Sequence, residues 1–149
     1  MSDWVNTFKG AVLASEYDSA SHMNSRMYVF RFDQATWGLL HAIGITPTSI
    51  RRKNLRIAIV RQNYQFLEEL CGGELVVIRS GFLAVGEKYF RFLHQMYNDV
   101  SGKMVATSDC VAVQAGLNEG RSVLLSLELQ ERAKAHLVTA NVPLSAELG

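Results

Sequence analysis

The chain is poor in the residues that build cross-linked or metal-stapled folds. Its 149 residues include 2 cysteines, Cys71 and Cys110, and no Cys-x-x-Cys pair. Neither a disulfide framework nor a zinc cluster is suggested, and no cofactor is expected. Proline is equally scarce, with 2 residues, so long segments are free to form regular structure. Charge of one sign is lacking too. Fifteen Lys and Arg against 14 Asp and Glu leave a net charge of +1, too little for a global field that recruits nucleic acid or an anionic membrane. No apolar run approaches the roughly 18 residues that span a bilayer. The start, Met-Ser-Asp-Trp-Val-Asn, has no basic segment leading into an apolar one, so no signal peptide is expected and a reducing, cytoplasmic setting is the default. What is present is an ordinary globular balance, 48% hydrophobic and 19% charged. It fits a single domain over 1–149.

The pattern changes period along the chain. Residues 6–17 favour a first strand, and the turn formers Asp18-Ser19-Ala20-Ser21 follow. From Met23 to Gly44, Phe32, Ala35, Leu39 and Ile43 recur at helical spacing, while Met23, Met27 and Phe30 add a second apolar face. A helix apolar on more than one side is expected to be buried. Gly44 suits its carboxyl-terminal cap, and Pro47 is expected to prevent resumption. Residues 46–54 read as a polar connection. Strands are expected at 55–67, 74–83, 89–97 and 103–114, with a short one at 121–125. Ser126 suits the N-cap of a final helix to about Leu137, with Glu128 in its first turn. Residues from about 138 to 149 read as a loose tail. One antiparallel sheet with one long helix is an α+β layout. Its uncovered sheet face and edges call for a homodimer or homotetramer.

One stretch carries chemistry: Tyr17-Asp18-Ser19-Ala20-Ser21-His22-Met23-Asn24-Ser25-Arg26-Met27-Tyr28, continued by Phe32-Asp33-Gln34-Ala35. It resembles the signature of the hot-dog-fold acyl-CoA thioesterases of the 4-hydroxybenzoyl-CoA thioesterase type. There a first strand ends in Asp, a Gly-His-Met/Val-Asn-like turn follows, and a helix opens with Tyr ten residues after the Asp. Asp18 and Tyr28 match that spacing, and His22-Met23-Asn24 matches the turn; Ser21 stands where the family has Gly. The Phe-Asp-x-Ala continuation is most similar to the subgroup acting on betainyl- or dehydrocarnityl-CoA. The resemblance covers roughly residues 8–137. It implies an antiparallel sheet wrapped around one long buried helix, a site at a subunit interface, and an oxyanion-donating amide about seven residues past the Asp, at Ser25.

The chemistry is physically coherent. The first turn of a helix presents unpaired N–H groups and the positive end of the dipole, where a thioester carbonyl can develop its oxyanion. Asp18 would attack that carbonyl or deprotonate a water. A thiolate leaves readily, so no strong acid and no metal is needed. The bland alternative for Asp18 is an N-cap or Asx-turn. His22 either orients Asp18 or bonds the backbone of a turn. Asn24 either positions the substrate or caps the helix. Tyr28 and Tyr64 are pocket-wall or core residues. Arg51, Arg52 and Lys53, with Arg56, form a local basic cluster suited to the phosphates of coenzyme A, or a solvated loop; Lys88, Arg91 and His94 are an alternative rim. An aromatic wall would suit a cationic acyl group. Besides hydrolysis of an acyl-CoA substrate, a non-catalytic acyl-CoA-binding module and a hot-dog enoyl-CoA hydratase or dehydratase fit the same residues. No nucleic-acid or membrane partner is expected.

Overall fold

A computed structural model describes residues 3–13, 23–118 and 120–141. Among these, a six-stranded antiparallel sheet carries one long helix on its concave face. The strands are β1 (Val5–Ala11), β2 (Leu55–Phe66), β3 (Leu75–Val85), β4 (Tyr89–Asn98), β5 (Met104–Gly116) and β6 (Ser122–Val123). The helices are α1 (Ser25–Ala42), α2 (Pro47–Lys53) and α3 (Leu127–Lys134). The sheet order is β1-β3-β4-β5-β2, and β6 pairs with the far end of β5. Both outermost strands, β1 and β2, keep one edge open among the described residues.

The periodic stripe of α1 is what seats it. Tyr28, Phe32, Ala35 and Leu39 are buried, and Ile43 just past the helix is buried with them. They meet Ile78, Phe82, Phe92 and Met96 from the sheet. Gly38 marks the closest approach to β1: a Cβ there would sit 3.1 Å from the backbone oxygen of Thr7. On β5 the buried parity is Ala106, Ser108, Cys110 and Ala112. The β-branched Thr107, Val111 and Val113 face outward, because only small side chains leave room for the ring-bearing helix stripe.

Three expectations need correction. Residues 46–54 are no simple connection: Thr46 and Ser49 form a reciprocal capping box and Pro47 opens α2, since proline suits the first helical position as well as it blocks an interior one. The second face of α1 is only partly buried: Met23 is in the core and Met27 packs against it, but Phe30 is 51% exposed, and Trp37 further along the helix is 40% exposed. The tail is not loose at its start, because the Phe82 N–H donates to the carbonyl of His136 and the Val138 N–H to that of Phe82. The first strand ends at Ala11, and residues 14–17 of its expected span lie outside the described residues. Gly44, with φ of 87°, and Ser126 close and open their helices as expected.

His94 is fully buried on β4 and belongs to no rim. Its Nε2 lies 2.9 Å from Thr36 Oγ1 and its Nδ1 2.5 Å from Ser80 Oγ, which in turn meets Thr7 Oγ1 at 2.8 Å. The Thr36 hydroxyl donates to the Phe32 carbonyl. It therefore accepts from Nε2–H, leaving Nδ1 to accept from Ser80. Both ring nitrogens are satisfied in the neutral form, and burial pushes the imidazole pKa down to about 3. Arg91 is likewise occupied, donating to both oxygens of Asp109 at 3.0 and 2.7 Å.

Because the folded His94 refuses a proton that the unfolded chain accepts near pH 6.5, stability is full above that pH and falls as pH drops below it. The expected slope from this group is about 1.4 kcal/mol per pH unit. Urea unfolding between pH 7.5 and 5 should show it, and His94→Gln should flatten it. A wild-type curve that is flat over that range would remove this role for His94.

Candidate active site

The amino end of α1 is built by three local features. Asn24 caps the helix: its backbone is extended and its Oδ1 accepts from the Met27 N–H at 3.3 Å. Met23 is buried and its N–H donates to the Leu70 carbonyl at 2.8 Å, tying the entry of the helix to the segment after β2. Tyr28, one turn in, turns its hydroxyl to the same segment. It donates to the Glu68 carbonyl at 3.2 Å and accepts from the Leu70 N–H at 3.1 Å. Burial raises the pKa of this phenol, so Tyr28 stays protonated and serves as a clamp, not an acid.

These ties leave the start of the helix open. Among the described residues no acceptor meets the N–H groups of Ser25 and Arg26, and no acidic side chain lies in the first turn. Beside them runs a cleft of about 610 Å³. Its near wall is Met23, Asn24, Ser25 and Tyr28, and its far wall is Phe66, Leu67, Glu68 and Glu69. The far wall is positioned by β5, since the Leu67 and Glu68 N–H groups both reach the Val105 carbonyl. Phe66 lies edge-on to Tyr28, with ring centroids 5.4 Å apart. The arrangement offers amide donors that have no acceptor among the described residues, and the positive end of an 18-residue helix, to an oxygen that develops negative charge.

The candidate residues divide by place. Asn24, Ser25 and Tyr28 line this cleft. Asp18 and His22 lie outside the described residues. Tyr64 does not line the cleft; its ring stands behind, 5.9 Å from Phe32 and 6.3 Å from Phe66, and burial raises its pKa. Arg51, Arg52 and Lys53 form the exposed last turn of α2. That turn follows the far end of α1, which at about 1.5 Å per residue is some 27 Å from Ser25. One chain therefore does not bring the basic cluster to this cleft. Phe66, Leu67, Glu68 and Glu69 were not singled out in sequence, because their link to α1 spans about forty residues and nothing local signals it. Among the described residues no group of three His, Cys, Asp or Glu side chains is gathered for a metal, and no helix is long and apolar enough to cross a membrane.

An antiparallel sheet wrapped round one long helix, with an open cleft at the amino end of that helix, is the hot-dog fold of thioester hydrolases. The chain belongs to the thioesterase-like superfamily, whose family model matches residues 12–133. It is 25% identical over 135 residues to the betainyl-CoA thioesterase of Pseudomonas aeruginosa, covering 91% of this chain and 85% of the relative. A Staphylococcus aureus protein solved in complex with CoA superposes with a TM-score of 0.86 at 12% identity, over 95% of this chain and 92% of that one. A 1,4-dihydroxy-2-naphthoyl-CoA thioesterase from Synechocystis gives 0.76 at 13% identity, over 88% and 96%.

Tyr28→Phe keeps the ring and removes both ties to the 68–70 segment, leaving the buried Leu70 N–H unpaired. A loss of about 1–3 kcal/mol in denaturant unfolding is expected, with a looser far wall and a raised KM. Unchanged stability would mean that the clamp is idle.

Proposed function

We propose that the chain hydrolyses an acyl-CoA at this cleft, giving a carboxylate and free coenzyme A. Asp18 acts as nucleophile or general base, and the Ser25 amide, with the Arg26 amide beside it, stabilises the oxyanion. The observation that carries this reading is the start of α1 at Ser25, which lines a cleft large enough for an acyl group and whose N–H meets no acceptor among the described residues. The sequence supports the carboxylate: Asp18 precedes Ser25 by seven residues. His22 orients Asp18, and Asn24 holds the helix start through its cap.

The acyl group we propose is small and cationic. Tyr28, Phe66, Glu68 and Glu69 line the cleft, and Glu68 also meets Lys103 at 3.9 Å; aromatic and acidic residues together favour a quaternary ammonium and disfavour an anion. The Pseudomonas aeruginosa relative is a betainyl-CoA thioesterase, which agrees. The assembly we propose is a homodimer or homotetramer. Phe30 and Trp37 on the open side of α1, and the unpaired edge of β2, call for a second copy. A second copy set antiparallel along α1 would also carry its Arg51, Arg52 and Lys53 to the phosphates of a coenzyme A bound in the first.

A thiol-release screen over cationic, aromatic, short and long acyl-CoAs tests the activity. The highest kcat/KM is expected for a cationic acyl group, and Asp18→Ala should lower kcat at least 100-fold, the scale of a lost general base, with unfolding unchanged. Full activity in Asp18→Ala would overturn the mechanism. Light scattering on the purified chain should give twice or four times the 16.6 kDa protomer mass; a monomer would overturn the assembly.

A further inference from the structure

A second cavity, of about 260 Å³, lies at the opposite end of α1, where α2, the end of β5 and the start of α3 converge. Its floor is apolar: Ile43, Ile45, Leu125 and Leu129 are all buried. One wall is Gln114 of β5, only 8% exposed. Its side-chain amide has no hydrogen-bond partner among the described residues, although burying an amide without a partner is costly and buried amides are normally paired. The rim carries two cations. Lys53 has no carboxylate partner among the described residues. Arg132 pairs with Glu128 at 2.6 Å, so the rim also holds one carboxylate. Arg132 is set over Gly44, where any Cβ would collide with its Nη1, and Gly44 adopts the left-handed backbone that glycine tolerates.

We infer that this cavity binds an adenine nucleotide. The base lies against the apolar floor with its donor–acceptor edge on the Gln114 amide, and the phosphate meets Lys53 and Arg132. An amide presents one donor and one acceptor side by side, the complement of the adenine edge. Two cations beside an apolar floor suit a phosphate attached to a ring. The volume falls just below that of pockets for drug-sized ligands, roughly 300–1,000 Å³, and suits one heterocycle. The cavity is separated from the thioester cleft by the length of α1, so it stands apart from the proposed catalytic site. Two sources share this chemistry: the adenine nucleotide end of a coenzyme A held between two copies, and a free adenine nucleotide.

Calorimetric titration of the full chain with adenosine 5′-monophosphate, adenosine 3′,5′-bisphosphate and ribose 5-phosphate tests the site without turnover. The two adenine nucleotides should bind at least tenfold tighter than ribose 5-phosphate. Gln114→Leu should weaken them at least tenfold, and Lys53→Ala should weaken all three ligands. If Gln114→Leu does not fold, the comparison with ribose 5-phosphate and the Lys53→Ala titration still decide. No binding at millimolar nucleotide, equal binding of ribose 5-phosphate, or unchanged affinity in Gln114→Leu would overturn the site. Competitive elevation of the acyl-CoA KM by the bound nucleotide assigns the cavity to coenzyme A itself, and binding with KM unchanged assigns it to a free nucleotide. A chain that binds nucleotide but releases no thiol would keep this inference and remove the hydrolase reading.

Discussion

Everything at the site depends on the seating of α1 in the curve of the sheet. A stripe of rings and small residues, from Tyr28 through Phe32 and Ala35 to Leu39, is removed from water, and that burial fixes both the axis and the axial position of the helix. Gly38 lets the helix press against β1. The small inner residues of β5 leave space for the rings. Once the helix is fixed along its length, its amino end has one place to be, and the ties from Met23 and Tyr28 to residues 68–70 complete the placement. The open amides are then a consequence of helix geometry, since the first turn of any helix has N–H groups without internal partners. The fold's contribution is to set the helix start at Ser25 beside a cleft.

The buried polar chain from Thr7 through Ser80 and His94 to Thr36 crosses the same contact between helix and sheet. Each member has a partner, so the chain adds direction to an otherwise non-directional apolar contact. It ties β1, β3, β4 and α1 at one level, which sets the register of the helix against the strands. A wholly apolar contact of the same area would tolerate sliding; a chain of paired donors and acceptors does not.

The elements that were legible in sequence are those whose signals are local. The stripe from Phe32 to Ile43, the cap at Ser126 and the strands β2 to β5 all announce themselves within about a dozen residues. Pro47 misled because one residue carries two opposite meanings, and only the Thr46 and Ser49 side chains decide between stop and start. The exposed ring of Phe30 misled because an apolar second face signals burial without saying by what. The near wall of the cleft, Asn24, Ser25 and Tyr28, was legible through its motif. The far wall, Phe66 to Glu69, was not, because a tertiary bond from Tyr28 brings it there. The basic cluster at Arg51, Arg52 and Lys53 was visible, but its distance from the cleft follows only from the length of α1 between them.

The central claim is that a thioester carbonyl docks against the first-turn amides of α1. The most direct measurement is the backbone amide spectrum of the chain, with Asp18 replaced by Ala to prevent turnover, titrated with an acyl-CoA. The account predicts that the Ser25 and Arg26 amide resonances shift downfield and more than any others, with Phe66 and Glu68 following. Saturable binding that leaves the Ser25 and Arg26 amides unmoved would contradict it.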